Sequence, residues 1–173
     1  MVLPLTALTL LECSHIDRYM RESNYTVPFE ANSRGRRDIQ ENLSKNATLT
    51  VRQGRLFLKN KSGKKVWITA LSGRLFLFRE ARDPTGKWRP TQYWCPDFCG
   101  NAYYSVMLGP RHSWSWPAPL STGSYSTNCR FVLSGYRTKL VSPEYPCHIS
   151  SNEFRLQPAF ARYLEVRDDG AIH

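Results

Sequence analysis

The chain has 173 residues, enough for one domain of ordinary size with terminal extensions, and no linker divides it, which excludes two separately folded halves. A hydrophobic fraction of 41% supplies a real core, and aromatics at 13% lean towards strands, where large rings pack on a pleated surface. The net charge of +10, from 24 Lys+Arg against 14 Asp+Glu, implies attraction to something anionic: nucleic acid, acidic glycan, lipopolysaccharide or anionic lipid.

The first twelve residues, MVLPLTALTLLE, are apolar but too short to span a bilayer. They resemble the core of a secretory signal, and Cys13 follows directly, as the lipidated cysteine of a bacterial lipoprotein does. Cys13 is therefore the candidate for a lipid tether. Glu12 stands where such a signal carries a small residue, and the basic leader is missing. The competing expectation is a short amphipathic helix with Leu8, Leu11, His15 and Tyr19 near one face. Residues 13–45 are polar and read as a short helix followed by irregular chain around Ser33-Arg34-Gly35-Arg36-Arg37. Residues 1–46 are thus assigned to a leader-like or helical N-terminal extension.

The basic excess is uneven. From Arg34 to Lys65 the chain holds Arg34, Arg36, Arg37, Lys45, Arg52, Arg55, Lys59, Lys61, Lys64 and Lys65 against only Asp38 and Glu41. Such a run is either a solvated face or a patch for an anionic partner. Asn-x-Ser/Thr triplets at Asn24, Asn42, Asn46 and Asn60 would be glycan acceptors on surface loops of a eukaryotic secreted protein.

From Ala47 the texture becomes that of strands. Leu49 and Val51 alternate with Thr48, Thr50 and Arg52, Gln53-Gly54 turns the chain, and Arg55 to Lys59 forms the next strand. Asn60-Lys61-Ser62-Gly63 supplies a second turn, with its glycine free to take positive φ. Lys65 to Ala70 comes next, then Arg74 to Arg79, in which Leu75 to Phe78 is apolar on both faces and so reads as a central strand. Asp83-Pro84-Thr85-Gly86 is the sharpest turn signal and predicts a hairpin of residues 74–82 with 87–94. Tyr103 to Leu108 and His112 to Trp116 are further strands. In Ser124 to Leu133, Tyr125, Thr127, Cys129, Phe131 and Leu133 share one face. Tyr136 to Val141 is a last candidate strand, and Pro143 and Pro146 interrupt the chain beyond it.

The expected fold is all-β: a two-layer antiparallel β-sandwich over residues 47–141, with an irregular C-terminal extension over 142–173. The residues Gly86-Lys87-Trp88, Trp94, Cys99-Gly100-Asn101 and Gly123-Ser124-Tyr125 leading into Cys129 carry a resemblance. By them, residues 47–134 resemble an immunoglobulin-like or fibronectin-type sandwich of bacterial envelope or secreted proteins, over about half of the chain. Tyr125 lies four residues before Cys129 rather than two, so the resemblance does not carry the antibody-type bridge. It implies a binding or structural module and no particular ligand.

Candidate chemistry is sparse. Cys95, Cys99, Cys129 and Cys147 allow three disulfide connectivities and suit a secreted or cell-envelope protein. Cys95 and Cys99 form one loose pair, which fits disulfides better than the close knuckles of structural zinc, so no metal is expected. No G-x-S-x-G elbow occurs and the histidines at 15, 112, 148 and 173 are scattered, so the chain is not read as an enzyme and no cofactor is expected. Trp88, Tyr93, Trp94, Trp114 and Trp116 are the candidate ligand-binding residues, because exposed flat rings stack on sugars or anchor protein interfaces. The same rings equally suit the space between two sheets. The expected function is a non-catalytic extracytoplasmic module recognising a protein or glycan partner, with no transmembrane span. The alternative is a binder of nucleic acid or another anionic polymer through residues 34–65. Nucleic acid is the weaker form of it, since the aromatics concentrate after residue 86 and the basic excess before residue 66.

Overall fold

A computed structural model describes residues 21–22, 25–28, 43–71, 73–93, 103–118, 123–135 and 138–154. The expected leader or helix of residues 1–20, Cys13, Trp94, Cys95 and Cys99 lie outside the described residues, as does everything after residue 154.

The described chain is mostly antiparallel β-structure. Its strands are β1 (Arg21–Glu22), β2 (Ala47–Arg52), β3 (Arg55–Asn60), β4 (Val66–Leu71), β5 (Arg74–Leu75), β6 (Leu77–Arg82) and β7 (Trp88–Pro90). They continue with β8 (Gln92–Tyr93), β9 (Tyr103–Leu108), β10 (Ser113–Pro117), β11 (Tyr125–Gly135), β12 (Thr138–Val141) and β13 (Tyr145–Ile149). A single helical turn, α1 (Leu43–Asn46), leads into β2, and a 3₁₀ turn (Ser151–Phe154) follows β13. Three antiparallel sheets have the orders β10-β3-β2, β5-β4-β9 and β12-β11-β6-β7, while β1 pairs with β8 in parallel.

Local chemistry accounts for the turns. Gln53 and Gly54 both take positive φ, 49° and 69°, the two-residue hairpin geometry whose twist matches its strands. In the Asp83–Gly86 turn, the Gly86 amide donates to the Asp83 carbonyl at 2.8 Å and Gly86 sits at φ 80°. The Asp83 carboxylate accepts the Thr85 hydroxyl and the amides of Thr85 and Lys87. Those bonds, with the Arg89 ion pair, favour its charged form and hold the carboxyl down at about 2. Of the expected hairpin of residues 74–82 with 87–94, only β6 with β7 forms, because Arg74 and Leu75 pair with β4 and Gln92 and Tyr93 with β1.

The second expected turn is different. Gly63 does not take positive φ, and β3 and β4 do not pair, so residues 61–65 cross from one sheet to another. Strand β6 is buried on both faces, Arg79 and Glu80 included, and lies between β7 and β11; the apolar run Leu75–Phe78 is divided, with Leu75 in β5 and Leu77 opening β6. Strand β11 has β6 on one side and two successive partners on the other: β13 beside residues 125–129 and β12 beside 132–135. Between them Ser142 bridges the gap, its amide donating to the Phe131 carbonyl and its hydroxyl accepting the Phe131 amide, each at 2.9 Å. Strand β13 falls in the segment read from sequence as an irregular extension. Pro146 is tolerated there because β13 pairs with β11 alone.

All three sheets contribute to one apolar core, with Leu49, Leu56 and Leu58 from the first, Ile68 and Val106 from the second, and Leu77, Phe131 and Leu133 from the third. Tyr25 enters it from outside the strands, edge-on to both Trp116 and Phe131 at 6.0 Å between ring centroids. A polar seam runs beside it. Arg79, 1% exposed, donates through Nε to the Thr91 hydroxyl at 2.9 Å and pairs with Glu153 of the 3₁₀ turn. Gln92 accepts from the Arg79 amide and from the Tyr25 hydroxyl. Burial pushes Tyr145 up to about 12 and Tyr25 further above its ordinary value. A smaller cluster of Ala81, Cys129, Cys147 and Ile149 contains the disulfide between Cys129 and Cys147, whose Cα atoms are 5.8 Å apart.

Candidate functional site

The sheet β10-β3-β2 has one face in the core and one open, and its register assigns each side chain. Leu49, Leu58 and Trp114 stand in one inward row and Val51, Leu56 and Trp116 in the next. The alternate positions form the open face in three cross-strand rows: Thr48, Lys59, Ser113; then Thr50, Phe57, Ser115; then Arg52, Arg55, Pro117. Arg52, Arg55 and Lys59 are exposed, and the Arg55 guanidinium donates to the Ser115 hydroxyl at 2.9 Å. Phe57 is half-buried at the centre. The face therefore offers cations, hydroxyls and one ring, with no carboxylate.

The far end of β3 adds more positive charge on a fixed frame. Asn60 is fully buried, and its side-chain amide donates to the carbonyls of Lys64 at 2.7 Å, Leu108 at 3.2 Å and Gly109 at 2.8 Å. Its side-chain oxygen accepts the Ser62 amide and hydroxyl. The Lys61 amide donates to the Asn46 carbonyl, and the Arg111 amide to the Ser62 carbonyl. Asn60 thus ties the β3–β4 crossing to the β9–β10 turn, and the neighbouring Lys61 amide adds α1, around exposed Lys45, Lys61, Lys64, Lys65 and Arg111. The expectation of a surface glycan at Asn60 is corrected: its amide is buried and already bonded.

Charge is sorted between the sheets. The four carboxylates whose side chains are described all pair with arginines at the five-stranded sheet. These pairs are Glu80 with Arg130 at 2.7 Å, Asp83 with Arg89 at 3.2 Å, Glu144 with Arg82 at 3.1 Å, and Glu153 with Arg79. From residue 43 to 65 the chain holds seven cations and no Asp or Glu. Among the described residues, none of those seven takes part in an ion pair. Positive potential accumulates on the β2–β3–β10 side by that arrangement.

Of the aromatic residues singled out from sequence, Trp114 and Trp116 adjoin on the core side and Trp88 stands apart from them. Trp116 is buried, its indole N–H donating to the Thr26 carbonyl at 2.8 Å. Trp114, half-buried, packs on the core side of the same strand, 6.3 Å from the Trp116 ring. Trp88 belongs to the five-stranded sheet, where the guanidinium carbons of Arg82 and Arg130 lie 4.6 and 4.1 Å from its ring centroid. Tyr93 is placed in β8 by its backbone, and Trp94 lies outside the described residues. The ring on the cationic face is Phe57, which sequence reasoning passed over. Its signal was the two-residue spacing Arg55, Phe57, Lys59, which puts all three on one side of a strand.

Among the described residues no cluster of three or more His, Cys, Asp or Glu is arranged to hold a metal ion, and no helix is long and apolar enough to cross a membrane. Comparison with family models, curated proteins and solved structures gave no match to this chain.

Proposed function

We propose that this protein is a non-catalytic, extracytoplasmic binding module that holds an acidic glycan on the open face of the β2–β3–β10 sheet. The observation that carries the reading is the sorting of charge, with carboxylates paired on one sheet and unpaired cations collected on another. Surface cations outside any ion pair attract a linear polyanion by releasing its condensed counterions. Hydroxyls of Thr48, Thr50, Ser113 and Ser115 add neutral hydrogen-bonding groups beside them.

The scaffold is read as a β-sandwich whose sheets are layers around the shared core, in line with the immunoglobulin-like resemblance of the sequence. The Cys129–Cys147 bridge supports an oxidising compartment, and Cys13 is the candidate tether there. A glycan is preferred to single-stranded nucleic acid because Phe57 is the lone ring among the described residues of the face, whereas strand binders use several stacking platforms. Val141 is the one large hydrophobic residue exposed on the described surface, which disfavours an apolar protein contact.

The test is a salt titration of heparin binding by the wild type and by the R52S/R55S/K59S variant, with single-stranded DNA measured alongside. Heparin affinity should fall steeply with salt, and the variant should lose roughly tenfold or more with a shallower slope. Equal affinity in the variant would remove the site. Tighter binding of DNA than of heparin at matched salt would reassign the ligand.

A further inference from the structure

The open face is not uniformly charged. Its cations stand in two stations, one at each end of β3. At the hairpin end Arg52 and Arg55 are directly opposed across the two-residue turn, and the Gly54 carbonyl of that turn accepts the Ala118 amide at 2.8 Å. At the other end Lys59 is followed by Lys61, Lys64 and Lys65 on the loop that Asn60 fixes. Between the stations the face presents Thr50, Phe57 and Ser115, none of them charged. Arg55 and Lys59 are four residues apart on one strand, a separation of about 13 Å at the usual rise.

We infer that the ligand is an extended polyanionic glycan lying along β3, gripped at both stations and resting a sugar face on Phe57 between them. The inference rests on the glycan-binding role proposed for this face and adds a register, a minimum length and a role for the central ring. A compact anion can bridge the stations only if the long side chains of both fold inward over Phe57, whereas an extended chain meets them as they stand. A chain long enough to touch both gains the second contact at high effective concentration. The central gap is where an aromatic ring against the apolar face of a sugar costs least in desolvation. Asn60 serves this geometry by fixing its loop before the ligand arrives, so little ordering entropy remains to be lost.

Heparin-derived oligosaccharides of increasing length, measured by calorimetry against the full chain, test the register. A disaccharide engages one station and a hexasaccharide engages both, so wild-type affinity should rise by roughly tenfold or more between them. In R52S/R55S and in K61S/K64S/K65S, each altering exposed side chains only, that rise should collapse while disaccharide binding persists. Phe57→Leu should weaken the hexasaccharide with its salt slope unchanged, because the lost contact is uncharged. If long heparin binds but affinity is flat with length, or the rise survives in both station variants, the two-station register is wrong and the glycan reading stands. If no length binds, both fall together.

Discussion

Asn60 shows how much one side chain can decide. Within a motif it reads as a glycan acceptor; within the fold it supplies donors to three carbonyls on two separate loops. Nothing in the neighbouring sequence marks that role, because two of its acceptors lie 48 and 49 residues away. Replacing it takes that donor from one buried and two part-buried carbonyls, and a buried group left unsatisfied costs about 1–3 kcal/mol. Asn60→Ala should therefore destabilise the protein by about 2–3 kcal/mol, seen as a lower urea midpoint at unchanged m-value. A midpoint within error of wild type would show that water satisfies those carbonyls. Arg79 was illegible for the same reason: its place at the end of an apolar run is visible, its partner Glu153 74 residues away is not. Phe57, by contrast, is legible by period alone, although the tryptophans are the more conspicuous rings in the sequence.

At the scale of elements, periodicity predicts strands well and pairings poorly. Alternation in β2 and over residues 125–130 of β11 assigns inward residues correctly, since a half-buried strand must present every second side chain to the core, whereas residues 131–135 of β11 are buried on both faces. The apolar run Leu75–Phe78 is split between β5 and β6, and of these β6 is a central strand. The crossing at residues 61–65 looks like a hairpin turn in sequence, because glycine and polar residues serve both purposes. What separates them is the Asn60 network, which is tertiary. Strand β13 escaped because proline is read as an interruption, although an edge strand accepts it. The Cys129–Cys147 bridge then fixes this late strand to β11, closing a loop of 18 residues. Replacing both cysteines by alanine should lower stability by about 3 kcal/mol in chemical denaturation, by freeing the unfolded chain. A loss below about 1 kcal/mol would mean that β13 is held by its pairing with β11 and the packing of Ile149 without need of the bridge.

For the whole molecule, composition announces a positive protein but not where the charge lies. The run from Arg34 to Lys65 is visible in sequence; that its described cations end on an open sheet face and one hydrogen-bonded loop end depends on strand register. The counterpart is equally tertiary, since the carboxylates of β6, its turn, the chain before β13 and the 3₁₀ turn are matched to arginines across the five-stranded sheet. Of the tryptophans that carried the glycan expectation in sequence, the described ones lie on the core side (Trp114, Trp116) or beneath arginines (Trp88), so the glycan proposed here is assigned to a different surface.

That surface is the central claim, and amide hydrogen exchange of the full chain with and without a heparin hexasaccharide tests it most directly. The predicted result is added protection confined to residues 47–65 and 111–117, with the sheet formed by β6, β7 and β11 unchanged. Protection centred instead on Trp88 and the strands around it would contradict the account.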